Sequence, residues 1–431
     1  MCDLPPCPDG PFRQPALIAL DRRTMLGGAA ALTLTACARA RESGALRFWA
    51  TGYEGDYSPH LMVPFTAATG IEVETQSVPS TAAHEKFLTA FAGGVLPDVF
   101  MLPSGWVGEF AMIGAVAPVP SPALVADTLP AARAIAQVGG RDYAVPWAIA
   151  PQVQFYRRDL LGAAGYDAPP TDWAGWLRMG SALKGRRPGE FVFLALLNWP
   201  DTLFSMLYQA GATLLRDRDT RGNFRTDEAR EAFAFYKSLF DEGLAPKVLS
   251  TEVQDPYAAF AQGRFAVWPS WPTLLLDLHR RAAELPRERW GVARLAGPNG
   301  PGPATMVANS LCVASTCERP AEAWALVRHL SSAASELRFQ SLIGNLPARA
   351  SAWDAPQMAD PVLAPFAEQM RQPAIAPPVV EWERIQNEVQ LVAERMVRGG
   401  LSIDEALAAI DTRIDRILAK RRALVEAGRI A

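Results

Sequence analysis

The stretch Ala266-Val-Trp-Pro-Ser-Trp-Pro272 sets Trp268 and Trp271 three residues apart, each followed by proline, just behind Gln262-Gly-Arg-Phe265. Proline lacks an amide hydrogen and fixes φ, so neither a continuous helix nor a central strand is expected to run through here. The two indoles are expected at a strand end and in the loop that follows, leaving one of them free to face something other than core. An indole offers a flat apolar face and one N–H donor, which suits ligands that carry both C–H faces and hydroxyls. The chain holds 12 tryptophans against 8 tyrosines, so some are expected to serve beyond the interior.

Other conspicuous residues have plainer readings. Trp173 and Trp176 stand at i and i+3 on a helix and read as core, as do Trp290 and Trp324; Trp49 sits within a strand, as core or as rim. Asp98 follows a proline at a strand start and reads as structural. Glu54 has no apolar pattern around it and is either a solvated loop charge or an acceptor for hydroxyls. Arg349, in Asn345-Leu-Pro-Ala-Arg349, either clamps a hinge or touches ligand. No nucleophile elbow, phosphate loop, HExxH or kinase signature is present. Without a CxxC, and with four histidines scattered at positions 60, 84, 279 and 329, no metal site or other cofactor is expected. A net charge of −3 gives no electrostatic case for nucleic acid and points to a small or neutral ligand.

These side chains need a framework. A chain of 431 residues, 49% hydrophobic and 20% charged, has the composition of a globular protein and the length of two or three lobes. Residues 1–37 read as a leader. Twin arginines at 22 and 23 precede the apolar run Met25–Ala36, too short to span a bilayer as a helix. The run ends in Leu34-Thr-Ala-Cys37, the form of a lipoprotein cleavage box, so export and acylation of Cys37 are expected; residues 1–20 are either an over-called start or a long leading segment. Cys312 and Cys317 either form a disulfide or leave Cys312 buried and free. From Ala45 strands alternate with helices. Leu46–Ala50 alternates as a strand, Tyr53–Pro59 reads as a polar loop, and His60–Thr69 is a helix closed by Gly70. Ile71–Thr75 and Pro97–Leu102 are further strands, with a helix over 80–92 between them. Such alternation implies an α/β fold with a mainly parallel sheet, whose ligands sit beyond the carboxyl ends of the strands. Tyr143–Trp147 and Met306–Ala314 are extended segments that carry the chain between lobes. Two amphipathic helices close the chain, Ser402-x-x-Glu405 having the form of a capping box.

In this order, the lipobox, LRFWATG, GGVLPDVFML, YAVPWAIAPQVQFYRRDLLGAAG, QGRFAVWPSWP, VANSLCVASTCERPAEAWALVRHL and GNLPAR resemble the extracellular solute-binding proteins of carbohydrate importers, the family that includes maltose-binding protein. The resemblance covers nearly the whole chain after Cys37. It implies a periplasmic binding protein-like fold: two discontinuous α/β lobes with a hinge and an interlobe ligand cleft. Residues 44–146 with 307–353 would form one lobe, and 147–306 with 354–431 the other. It also implies a monomer without enzymatic activity in the periplasm or another extracytoplasmic space. A lipid anchor would hold it to the membrane, where it passes a carbohydrate to the permease subunits of an ABC transporter.

The same resemblance nominates the cleft residues: Tyr53, Glu54, Ser104 and Trp106 from the first lobe, and Trp147, Gln152, Asn198 and Trp199 from the crossover and the second. Trp268, Ser270 and Trp271, with Asn309, Arg349 and Trp382, complete the set. A pyranose has an apolar face for stacking and a rim of hydroxyls for carboxylates and amides, so aromatics would set affinity and polar groups identity. Many relatives place a charged side chain shortly after the crossover tryptophan; Ala150-Pro151-Gln152 stands there instead. The alternatives are the same fold binding a glycerophosphodiester, a polyol or a peptide, and, further off, an enzyme acting on glycosides.

Overall fold

A computed structural model describes residues 44–185 and 189–429; the leader and Cys37 lie outside them. Eleven strands carry the argument: β1 (Leu46–Thr51), β2 (Val73–Val78), β3 (Val99–Pro103), β4 (Val145–Pro151), β5 (Val153–Arg157), β6 (Phe191–Phe193), β7 (Phe265–Ser270), β8 (Trp290–Ala293), β9 (Ala304–Val313), β10 (Leu346–Pro347) and β11 (Pro373–Ala374). They make two sheets, in the orders β10-β4-β9-β3-β1-β2, with β11 also on β9, and β8-β5-β7-β6.

In β1, Leu46, Phe48 and Ala50 are fully buried while Arg47 and Trp49 are only partly so, the two-residue period of a strand with unequal faces. Trp49 packs beside Phe87 at 6.0 Å with the Lys86 ammonium over its ring. β1 runs parallel to β2 and β3, but β9 is antiparallel to both β3 and β4. The sheet is therefore mixed rather than mainly parallel, because β9 returns from the other lobe and enters from the opposite end. Asp98 accepts from the Arg47 amide at 2.9 Å and from the Cys317 thiol at 3.5 Å. Cys312 and Cys317 are both free, Cys312 inside the core.

The helices used below are α1 (Gly52–Tyr57), α2 (Pro59–Thr69), α3 (Ala83–Ala92), α4 (Val107–Met112), α5 (Trp173–Leu183), α6 (Asp201–Gln209), α7 (Asp227–Asp241), α8 (Leu274–Arg280), α9 (Pro320–Leu330), α10 (Ala333–Ile343), α11 (Trp382–Val397) and α12 (Ile403–Ile417). Side-chain caps open α5, α7, α10 and α12. Asp172 accepts from the Gly175 amide at 2.7 Å, Thr226 from Ala229 at 3.2 Å, and Ser402 and Glu405 form the expected capping box. On α5, Trp173 stacks on Phe235 at 4.4 Å and Trp176 on Phe193 at 4.7 Å, fixing the core of the second sheet.

The polar loop expected at Tyr53–Pro59 is instead α1 followed directly by α2. Six residues are too few for apolar periodicity to register. β4 stays in the first sheet through Pro151, paired with β9 from Met306↔Pro151 to Leu311↔Val145, while Ala304 and Thr305 pair with β11.

Candidate ligand-binding site

A cavity of about 540 Å³ has Thr305–Ala308 of β9 along one side. The first lobe supplies the turn at the carboxyl end of β3, where Ser104–Trp106 forms one 3₁₀ turn before α4. Ser104 Oγ sits 2.7 Å from Ser310 Oγ of β9, pinning that turn. Trp106 meets the His84 ring edge to face at 4.8 Å, and His84 Nε2 lies 2.6 Å from Glu109 Oε2 on α4. Trp106, His84 and Glu109 thus form one connected wall.

The second lobe supplies helix beginnings. Asp201, Phe204 and Tyr208 stand at i, i+3 and i+7 on α6 and line the cavity together, as helical spacing requires of one face. Trp382, the first residue of α11, is buried and packs edge-on to Phe204 at 5.3 Å, with Glu381, Glu383 and Arg384 beside it. Burial pushes the Asp201 carboxyl up to about 6, its own backbone hydrogen bond opposing this only in part, and pushes the Tyr208 hydroxyl well above its usual value. Neither Tyr208 Oη nor Glu381 Oε2 has a hydrogen-bond partner among the described protein atoms. Among the described residues no group of three or more His, Cys, Asp or Glu could hold a metal ion.

The profile of the family described as bacterial extracellular solute-binding protein matches residues 52–336, well over half of the chain. The chain belongs to that family. The sugar-binding protein MalE of Xanthomonas citri is 38% identical, with a TM-score of 0.81 over 89% of this chain and 99% of its own. The GacH receptor of Streptomyces glaucescens, 24% identical, superposes with a TM-score of 0.79 over 87% and 98%. A Brucella abortus protein named as a binding protein is 23% identical over 93% of this chain and all of its own. The fold of this solute-binding protein is accordingly the two-lobed, maltose-binding-protein-like one.

Of the residues nominated from sequence, the structure brings Ser104, Trp106 and Trp382 together in the cavity. The others lie elsewhere. Trp147 is fully buried, stacked on Phe339 at 4.4 Å and edge-on to Phe48, because β4 turns it into the first lobe's core. Trp268 is 2% exposed in the middle of β7. Ser270, the buried last residue of that strand, pairs with Val153. Trp271 is partly buried and starts the turn into α8, its carbonyl accepting from Leu274. Trp199, 37% exposed, stacks at 6.4 Å on Trp268, and Asn198 exchanges two hydrogen bonds of 2.8 Å with Ser250. Tyr53 is committed to a contact between lobes, its hydroxyl 3.2 Å from both carboxylate oxygens of Asp277 on α8. Gln152 is buried at the crossover, donating to Thr202 Oγ1 at 3.3 Å and accepting from Ser205 Oγ at 2.8 Å. Arg349 clamps the first lobe internally: Nε donates to the Ser331 carbonyl and Nη1 stands 3.6 Å from Asp127.

Glu54 is neither solvated nor open to ligand. Asn309 and Asn345 both donate to its Oε1, at 2.5 and 2.6 Å, and burial drives its carboxyl up to about 7. Because the folded value lies above the ordinary one near 4.5, the stability tied to Glu54 is full below pH 4.5. It is lost as pH rises toward 7, by about 3 kcal/mol over that window. Glu54→Gln, which keeps an acceptor for the two amides, is expected to flatten the fall of Tm between pH 5 and pH 7. Glu336, buried beside Arg349 and also raised, keeps part of the slope; an unchanged slope would refute the assignment to Glu54.

The residues that sequence missed are His84, Glu109, Asp201, Tyr208 and Glu381. The Asp201, Phe204, Tyr208 spacing was a usable signal, whereas His84 and Glu109 meet from separate helices and left none.

Proposed function

We propose that this protein captures a di- or oligosaccharide in the cavity between its lobes and delivers it to the membrane permease of an ABC importer. In this reading it acts outside the cytoplasm, held to the membrane by acylation of Cys37 after export. The observation that carries the proposal is the pairing of Trp106 from one lobe with Trp382 from the other around one cavity, with carboxylates and amides between them. Its volume of about 540 Å³ falls within the range of small-molecule sites, about 300–1,000 Å³. The sugar-binding description of the Xanthomonas citri relative supports the same ligand class.

The lining argues against a phosphodiester. Glu109, Asp201, Glu381 and Glu383 outnumber Arg384 and His84, and an anionic ligand would meet like charge there. A ligand touching both lobes binds the closed arrangement better than the open one and so shifts the population toward it.

Calorimetric titration with a panel of di- to tetrasaccharides, followed by product analysis, tests the proposal. Saturable binding without new reducing ends is expected; no binding across the panel, or turnover, would overturn it. Trp106→Ala removes a partly buried ring whose stacking is worth about 0.5–1.5 kcal/mol beyond the area it covers, so affinity should fall about tenfold or more with Tm little changed.

A further inference from the structure

We propose that His84 is a specificity-determining residue of the saccharide site: Glu109 holds its Nε2, and its Nδ1 accepts a hydrogen bond from a hydroxyl of the sugar that lies against Trp106. This rests on the reading of the cavity as a saccharide site and deepens it.

Helical spacing sets the ring in place. His84 and Phe87 stand at i and i+3 on α3 and so share a face, and both meet Phe110 of α4, at 6.1 and 6.4 Å. Phe87 is fully buried there, whereas the side chains of His84 and Glu109 remain 27% and 30% exposed. Both border the cavity, as does Trp106, whose ring meets the imidazole at 4.8 Å.

The hydrogen-bonding capacity of the imidazole then decides its role. A carboxylate oxygen only accepts, so the 2.6 Å contact with Glu109 Oε2 places the ring hydrogen on Nε2. In a neutral imidazole the other nitrogen is then an acceptor. Nδ1 has no hydrogen-bond partner among the described residues, and it is not one of the unpartnered polar atoms sealed from solvent. An acceptor with accessible surface therefore stands in the ring next to Trp106. A pyranose carries hydroxyl donors around the face that stacks on an indole, and one such donor satisfies Nδ1. A site that hydrogen-bonds a hydroxyl discriminates against the analogue lacking it, which an apolar ring at position 84 would not do.

The test uses the full protein with isotopically labelled histidine, one saccharide of the panel above that binds it, and the monodeoxy analogues of that saccharide, each lacking one hydroxyl. Nitrogen chemical shifts at mildly alkaline pH, assigned to His84 by their loss in His84→Asn, are expected to show a hydrogen on Nε2 and none on Nδ1; a hydrogen on Nδ1 would overturn the proposal. Calorimetry is expected to find one analogue that binds the unsubstituted protein about fivefold or more weakly than its parent, the scale of one net hydrogen bond. His84→Phe, which keeps a ring edge against Trp106, should bind that analogue and the parent alike. His84→Asn, whose Oδ1 takes a place close to that of Nδ1, should restore part of the difference. Discrimination that survives in His84→Phe, with parent and analogue weakened by one factor or not at all, would overturn the proposal and leave the saccharide reading standing. If no saccharide of the panel binds, the saccharide reading falls and takes this inference with it.

Discussion

Trp268→Ala is expected to lower the stability of the fold by about 3–5 kcal/mol, the range for truncating a large aromatic side chain in a packed interior. The indole is sealed in by Trp199, stacked at 6.4 Å and 9°, by Tyr257 at 5.3 Å and by Phe260 at 5.9 Å. Its N–H has no partner among the described residues, so no hydrogen bond is lost and the whole cost is apolar contact plus the void left behind. Trp268 does not border the 540 Å³ cavity. Affinity measured well below the melting range should therefore change less than that of Trp106→Ala. Guanidinium unfolding followed by circular dichroism measures the first effect and calorimetry the second. A stability loss under about 1 kcal/mol, or a larger affinity loss than that of Trp106→Ala, would mean that this indole is a ligand contact after all.

Gly344→Ala should cost a comparable amount by a different route. Gly344 closes α10 with φ 86°, and a Cβ there would stand 2.6 Å from the Pro272 carbonyl oxygen. Gly70 closes α2 with a similar φ of 72° and has nothing within 4 Å of the same position. The pair separates two penalties. Gly70→Ala meets only the left-handed backbone, about 1–2 kcal/mol, whereas Gly344→Ala adds a backbone collision that packing can relieve only by moving Pro272, about 1–3 kcal/mol more. Side-by-side melting curves decide: the drop in Tm for Gly344→Ala should be at least twice that for Gly70→Ala. Equal drops would mean that the segment after β7 yields freely.

Long elements were legible because their periodicity outlasts local noise. The α7 helix over Asp227–Asp241, the α9 helix starting at Pro320, and the capped α12 helix all stand where pattern and caps put them. The site was far less legible, and tryptophan shows why. The same flat apolar ring that stacks on a sugar also fills a core, and sequence does not say which face of β4 or β7 carries Trp147 or Trp268. Both went inward. Trp106 and Trp382 border the cavity because each lies at the start of a helix, Trp106 closing the 3₁₀ turn that leads into α4 and Trp382 opening α11. Glu54 failed for the opposite reason: the one-turn α1 that buries it is too short to advertise itself, and its partners Asn309 and Asn345 lie more than 250 positions away.

The crossover has a mechanical corollary. β4 and β9 lie side by side as they leave the first sheet, paired up to Pro151 and Met306 with a register shift at Asn309/Ser310, and Gln152, Ser205 and Thr305 lace α6 to that ribbon. A two-stranded ribbon resists sliding along its length, since every rung would have to break, but it flexes readily across its flat side. A swing that brings Trp382 toward Trp106 and leaves those rungs intact therefore bends this ribbon where it leaves the first sheet instead of shearing it.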